Sequence, residues 1–482
     1  MDLKSMNLTM LVDFYELTMA HGYFENGMAD QIAYFDLFFR KVPDDGGFAI
    51  MAGLEQLIDY LKRLDFTEDD IQYLREKNLF SEAFLGYLQD FQFACDIYAI
   101  PEGTPVFPYE PLVTVRGPII QAQFIETMAL LCINHQSLIA TKAGRITRAA
   151  QGRPVIEMGA RRAQGADGAL LGARAAYIGG AMGTACTISD RLFGVPVFGT
   201  MAHSWVQSFD TELEAFETYA ALYPNNCTLL VDTYNTLQEG IPNAIQVLKG
   251  VVAKGFPHGA IRIDSGDAAY LSKKARKMLD EAGLHETKIV ISNSLDEYII
   301  KDLLIQNAPI DSFGVGERLI TSKTEPVFGG VYKLAAIEKN GNIIPKIKIS
   351  SNIEKITIPG FKQVYRLFDK ATDKAIADVM TLDTEVIDEQ KPYLLFDPQY
   401  TWKKKNVENF YVMPLLVPIF EKGKPVYQSP DLQTIAAYSK EQVGKLWEEV
   451  LRFESPHKYY VDLSQKLWDV RASLLEKHSH KG

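Results

Sequence analysis

Between residues 155 and 316, short apolar runs alternate with helical stretches, and each run ends in a polar or glycine-rich cluster. Residues 155–157 lead to Arg161 and Arg162, 195–198 to Thr200 and His203, and 228–231 to Asp232 and Thr233. Residues 260–263 lead to Asp264-Ser265-Gly266-Asp267, 288–291 to Ser292-Asn293-Ser294, and 311–313 to Gly314-Val315-Gly316. Such alternation predicts a parallel sheet, because parallel neighbours need a crossover long enough for a helix. Six polar clusters after six strands then share one sheet edge, where α/β proteins bind ligands. The Ala- and Gly-rich residues 168–180 leave room for a further unit. Six or seven units predict an irregular, TIM-like α/β barrel, with an open doubly wound sheet as the alternative.

The flanks have a different rhythm. Residues 6–24 place Leu11, Phe14, Tyr15, Thr18, Met19 and Tyr23 along one helical side, and 31–39 alternate as a strand. Helices are predicted at 53–64, 67–77 and 81–92, the second capped by Thr67, and short strands among the prolines of 95–116. This makes an α+β domain over 1–118, followed by the barrel over 119–330, helical at 119–150. In the C-terminal region, 331–482, Asn340-Gly341 joins strands 331–337 and 343–350, and a second hairpin pairs 364–368 with 375–380. These strands are expected to fold back partly onto the N-terminal domain. Helices close the chain at 429–453 and 461–476, and Lys477 to His480 reads as a disordered tail.

A net charge of −11 argues against general nucleic-acid or anionic-membrane binding, and no apolar run approaches the ~20 residues of a membrane span. Cys95, Cys132, Cys186 and Cys227 are widely spaced and predict reduced thiols in a cytoplasmic protein, without a Cys/His metal cluster. An anionic substrate would need a local cationic pocket working against the overall field.

The strand-end residues suggest such a pocket. His203 sits where a strand hands over to a helix expected from about Ser204, with small neighbours Gly199, Ala202 and Ser204. It could act as a general base, a phosphate ligand or a nucleophile, or simply cap the helix; Glu157 or Asp232 could orient its ring. Arg262 lies two residues before Asp264, on the same strand face, and with Arg161 and Arg162 could grip a carboxylate or phosphate; an ion pair with Asp264 is the alternative. Asp264 and Asp267 could hold ribose hydroxyls or Mg²⁺, or cap the next helix. Gly314-Val315-Gly316 and Gly329-Gly330 could bring N–H groups onto phosphate, though tight turns need the same glycines.

Several of these stretches resemble the nicotinate phosphoribosyltransferase family. They are residues 12–20 (VDFYELTMA), 157–165 (EMGARRAQG, where the family usually has Phe in place of Met158), 199–209, 262–267, 310–316 and 329–334, in the family's order. The resemblance implies an irregular α/β barrel wrapped by an α+β domain, and a homodimer. It implies nicotinate, 5-phosphoribosyl 1-diphosphate and ATP as substrates, with Mg²⁺. By the same resemblance His203 would carry a phosphoryl group from ATP, with Asp264 also catalytic, and Tyr15 would stack on the pyridine ring, from the neighbouring subunit. Thr200 would line the pocket, Arg161 and Arg262 would meet carboxylate or phosphates, Ser292 would join the substrate site, and Gly314, Gly316, Thr321 and Gly330 would cradle phosphate.

Overall fold

The computed structural model describes residues 7–479 and divides the chain into two compact units. One comprises the chain through Leu138 and from Val327 onward; the other is Ile139–Pro326. The first boundary falls inside the helix Glu126–Ala149, twenty residues beyond the expected break at 118. The reason is packing: the helix Ile119–Phe124 is buried along its whole length against Phe14–Glu25 and Ile32–Phe38, so it belongs with the first unit.

The first unit is built on a seven-stranded antiparallel sheet. Its order is Asn342–Pro345, Val331–Lys339, Ile32–Phe38, Val113–Pro118, Asp96–Ala99, Val417–Glu421 and Lys424–Pro425. Strands from the C-terminal part of the chain thus flank N-terminal ones on both sides. Asn340 and Gly341, with φ of 52° and 75°, form the turn that two positive φ values allow, although the second strand stops at Pro345 rather than 350. A second sheet runs Phe410–Pro414, Lys362–Asp369, Ala375–Leu382 and Val461–Leu463, over a core that includes Leu367, Val379 and Phe410. The last helix, Gln465–Ser479, continues through Lys477 and His478, which were expected to be disordered; His480 lies outside the described residues.

One helix prediction holds and one shifts, each with a cap at its start. Thr67 caps Glu68–Glu76 by accepting from the Asp70 N–H at 3.2 Å, as its position implies. The first helix starts at Phe14, not residue 6, where Glu16 reaches back to the Asp13 N–H at 3.4 Å. Glu16 is buried, accepts from Thr127 Oγ1 at 2.5 Å, and is pushed up to about 7 by burial. A carboxyl raised in the fold binds more protons folded than unfolded, so its contribution falls as pH rises from the unfolded value towards 7. Between pH 4.5 and 7, the wild type should lose about 2 kcal/mol relative to Glu16→Gln. Denaturant midpoints across that range check this; parallel curves would count against it.

The second unit has a six-stranded parallel sheet, ordered Gly183–Thr184, Val155–Glu157, Ser312–Val315, Lys288–Ser292, Ala260–Ile263 and Thr228–Leu230. The hidden unit in 168–180 is real: the helix Gly165–Ile178 feeds Gly183–Thr184. The expected strand at 195–198 is reduced to one parallel bridge, Thr184 to Val197, because its neighbour is only two residues long. Strand order is a cyclic permutation of chain order, and pairing stops at Val197 on one side and at Thr228–Leu230 on the other. Among the described residues no helix is long and apolar enough to cross a membrane, and all four cysteines are free thiols.

Candidate active site

His203 opens a short helix, His203–Gln207, behind Ala202. Hydrophobic spacing predicts one helix from about 204 onward, through Phe216, but local side-chain bonds break it. Ser208 Oγ donates to the Trp205 carbonyl at 2.7 Å, and Thr211 caps a new helix, Glu212–Leu222, by accepting from the Glu214 N–H at 3.2 Å. His203 Nδ1 lies 3.1 Å from Thr233 Oγ1, and Nε2 lies 4.0 Å from Asp264 Oδ2. A proton on Nδ1 donated to Thr233 leaves the Nε2 lone pair free on the Asp264 side.

Neither carboxylate suggested as a partner for His203 has that role. Glu157 is fully buried and accepts from the Gly159 N–H and, at 2.6 Å, from the Thr184 hydroxyl. Burial raises its pKa, and those two bonds oppose the rise. Glu157 thereby ties the arginine loop to the neighbouring strand end. Asp232 accepts from the Asp264 N–H at 3.0 Å and the Ser265 hydroxyl at 2.6 Å. Asp264 in turn accepts from Ser292 Oγ. Three adjacent strand ends are thus joined into one polar net with His203 at its border.

Arg262 is anchored from the histidine loop. Its Nη1 donates to the Thr200 hydroxyl and, at 3.3 Å, to the Met201 carbonyl, while Nη2 lies 3.9 Å from Asp264 Oδ1. Its Nε is buried without a hydrogen-bond partner among the described residues. Burial pulls its pKa below the ordinary value; Asp264 and Asp232 oppose this, and Arg161 adds to it. A half-buried guanidinium with an unsatisfied buried N–H, in the field of a second arginine, is arranged for an anion.

The paired arginines separate. Arg161 acts on Arg262, whereas Arg162 turns to Glu317, 3.8 Å from its Oε2, and is 61% exposed. Asp267 is a cap, accepting from the Tyr270 N–H at 2.7 Å. Gly314 has a packing reason: a Cβ there would fall 2.6 Å from Met158 Sδ and 3.2 Å from Ser292 Cβ. Gly316 precedes the four-residue helix Glu317–Ile320, and Thr321 donates its hydroxyl to the Glu317 carbonyl at 2.8 Å. His203, Asp264, Arg262, Thr200 and Ser292 therefore touch one another through a connected set of contacts.

Tyr15 and Gly330 belong to the first unit. Tyr15 is 43% exposed and hydrogen-bonded to Glu126; burial, then Glu126, raises its pKa. The Gly330 N–H donates to Asn134 Oδ1 at 3.1 Å. Beyond Glu126 lies a cationic group that periodicity did not single out. Burial lowers the Lys333 pKa, Lys348 and Arg40 push the same way, and Arg40 Nε is buried without a partner among the described residues. The signal was present as a lysine inside an apolar strand and an arginine directly after another. Among the described residues no three His, Cys, Asp or Glu side chains converge as a metal site.

A histidine, a carboxylate net and a half-buried arginine along one parallel-sheet edge fit an α/β enzyme site for an anionic substrate. Family models for the N-terminal and C-terminal domains of nicotinate phosphoribosyltransferase match residues 10–134 and 361–471. The Bacillus subtilis nicotinate phosphoribosyltransferase is 44% identical over 98% of this chain and 96% of its own length. The human one is 30% identical, covering 96% of each. The crystal structure of human nicotinic acid phosphoribosyltransferase superposes with a TM-score of 0.84 at 29% identity, covering 96% of this chain and 99% of that one. The chain belongs to the nicotinate phosphoribosyltransferase family.

Proposed function

We propose that the protein joins nicotinate to 5-phosphoribosyl 1-diphosphate, giving nicotinate mononucleotide and diphosphate, with coupled ATP hydrolysis. This would be the entry step of NAD salvage from nicotinate. The supporting observation is Arg262, a half-buried cation whose unpartnered Nε suits the nicotinate carboxylate. The parallel sheet is read as an irregular barrel whose pairing is open at one seam. The acting form is read as a cytoplasmic homodimer in which Tyr15 of one copy stacks on the pyridine ring held by the other.

Breaking the anomeric C–O bond builds oxocarbenium-like charge on the ribose while diphosphate leaves. Asp264, held by Ser292 and Asp232, would face that developing charge. Mg²⁺, when bound with diphosphate, offsets the leaving group's charge. Asp232 Oδ1, buried without a hydrogen-bond partner, and the Asp264 carboxylate are the groups that fit it. His203 Nε2 attacks the γ-phosphorus of ATP, the bond to ADP breaks, and water later takes the phosphoryl group from the imidazole. A nicotinamide-preferring relative would want an acid free beside the ring, and Glu157, the available candidate, has both oxygens engaged.

The test is nucleotide formation from nicotinate and from nicotinamide, with and without ATP. Product from nicotinate, stimulated by ATP, is expected; product mainly from nicotinamide would overturn the substrate assignment. Arg262→Ala should raise the nicotinate KM roughly 100-fold and erase most of the preference, since a charge-assisted bond contributes about 1.5–3 kcal/mol. Glu157→Ala, which strands the Gly159 and Thr184 donors, should lower kcat/KM about tenfold, and Glu157→Gln by about threefold or less. Equal losses in the two Glu157 variants would move that residue from support to chemistry.

A further inference from the structure

The second unit carries a pocket of about 540 Å³, a volume typical of small-molecule sites. One wall is the segment 199–202, continuing from the sheet's free edge at Val197. The other is Tyr219, Leu222 and Tyr223, at the end of the helix Glu212–Leu222. Trp205 and Asn226 complete the lining, and Asn226 precedes the strand Thr228–Leu230 on the opposite free edge. The pocket therefore lies at the seam where pairing stops.

Its chemistry differs from that of the arginine site. No lining residue is charged. Trp205 meets Tyr219 edge-on at 6.1 Å, and Tyr219 meets Tyr223 at 4.9 Å. Leu222 and Tyr223 are 59% and 53% exposed, which gives an apolar surface at the pocket. The Asn226 amide supplies a donor and an acceptor, and the Thr200 hydroxyl, which donates to the Met201 carbonyl at 3.3 Å and accepts from Arg262, keeps one lone pair. An anion finds no cation in this lining, whereas a flat ring gains aromatic contact and partners for its heteroatoms.

We propose that this seam is a second ligand site, for a neutral planar nitrogen heterocycle of the pyridine-carboxamide or purine type. It is built to act on the arginine site. Thr200 and Met201, in the pocket wall, are the residues that hold Arg262 Nη1, and Tyr219 lies in the electrostatic field of Arg262. His203 follows Ala202 directly. An occupant that shifts this wall changes the affinity for the anionic base, and the base changes the affinity for the occupant by the same factor. This kinetic coupling rests on the role proposed for Arg262; binding at the seam does not.

Calorimetric titration of the full chain with nicotinamide and with adenine, each with and without saturating nicotinate, tests the site. Binding of either compound with Kd of about 1 mM or tighter is expected, persisting with nicotinate present and weakened at least tenfold by Leu222→Arg. The compound that binds identifies the ring class. Leu222 is mostly exposed and outside the catalytic net, so this variant should keep its ligand-free kcat/KM within about twofold. Tyr223→Ala supplies a second disruption if the arginine perturbs folding. Failure of both compounds to bind, or binding that nicotinate displaces and Leu222→Arg leaves intact, would overturn the proposal. Binding at the seam without any change in nicotinate KM would retain the site and remove the coupling.

Discussion

His203→Ala is expected to abolish ATP-stimulated nucleotide formation and ATP hydrolysis, leaving a slow ATP-independent reaction. The loss in kcat/KM should lie between about 10² and 10⁴, the range for removing a group that accepts or transfers in the reacting step. Geometry explains why one ring nitrogen carries the effect. Nδ1 is engaged by Thr233 at 3.1 Å, and Nε2 is left beside Asp264. Thr233→Ala removes only the orienting hydroxyl, so its cost should be about tenfold or less. Incubation with γ-labelled ATP should leave acid-labile, base-stable label on the wild type and none on His203→Ala. Persistence of ATP stimulation in His203→Ala would falsify the phosphohistidine assignment.

The largest stability effect is expected far along the chain from this chemistry, in the first unit. Arg366 and Asp378 are 1% and 0% exposed and form a two-pronged pair, Nε to Oδ1 at 2.8 Å and Nη2 to Oδ2 at 2.6 Å. Tyr459 donates to the same carboxylate at 3.1 Å, and Arg366 also donates to the Pro105 carbonyl at 2.8 Å. Burial and the adjacent Asp378 push Glu110 well above the carboxylate range. Asp378→Ala leaves a buried guanidinium uncompensated and should cost about 3–5 kcal/mol. Replacing both partners, Arg366→Met with Asp378→Leu, should restore much of that loss, because no charge is then stranded. Urea midpoints of the two single variants and the double variant decide; a double variant no better than the worse single one would contradict this account.

Much of the site was legible because the chemistry sits at fixed points of a repeating pattern. Residues 260–263 read as a strand and are one, so Asp264 had to fall at its end, and Arg262 on the same face. The same logic placed Ser292 and His203 on one edge. Partner choice was not legible. Glu157 and Asp232 both stand at strand ends, yet Glu157 spends both oxygens, and Asp232 its Oδ2, on backbone and hydroxyl donors of neighbouring loops, and His203 faces Thr233 and Asp264 instead. The division of Arg161 from Arg162 was equally invisible, since adjacent residues diverge according to the loop that follows a strand, which periodicity does not describe.

The glycines show the same limit. Gly314 reads as a phosphate loop in sequence, but its missing side chain makes room for Met158 and Ser292, which arrive from other strands. The helix predicted onward from 204 failed for a local reason that was present in the sequence, the cap-forming Ser208 and Thr211. By itself the sequence determined the alternation of strand and helix, the hairpin at Asn340-Gly341 and the edge that gathers the polar residues, because these depend on side-chain periodicity and local backbone preference. Tertiary structure decided which strands of the C-terminal part join the N-terminal sheet, where pairing of the parallel sheet stops, and which donor each buried carboxylate takes. Those outcomes depend on contacts between residues far apart in the chain, whose distances no local pattern encodes.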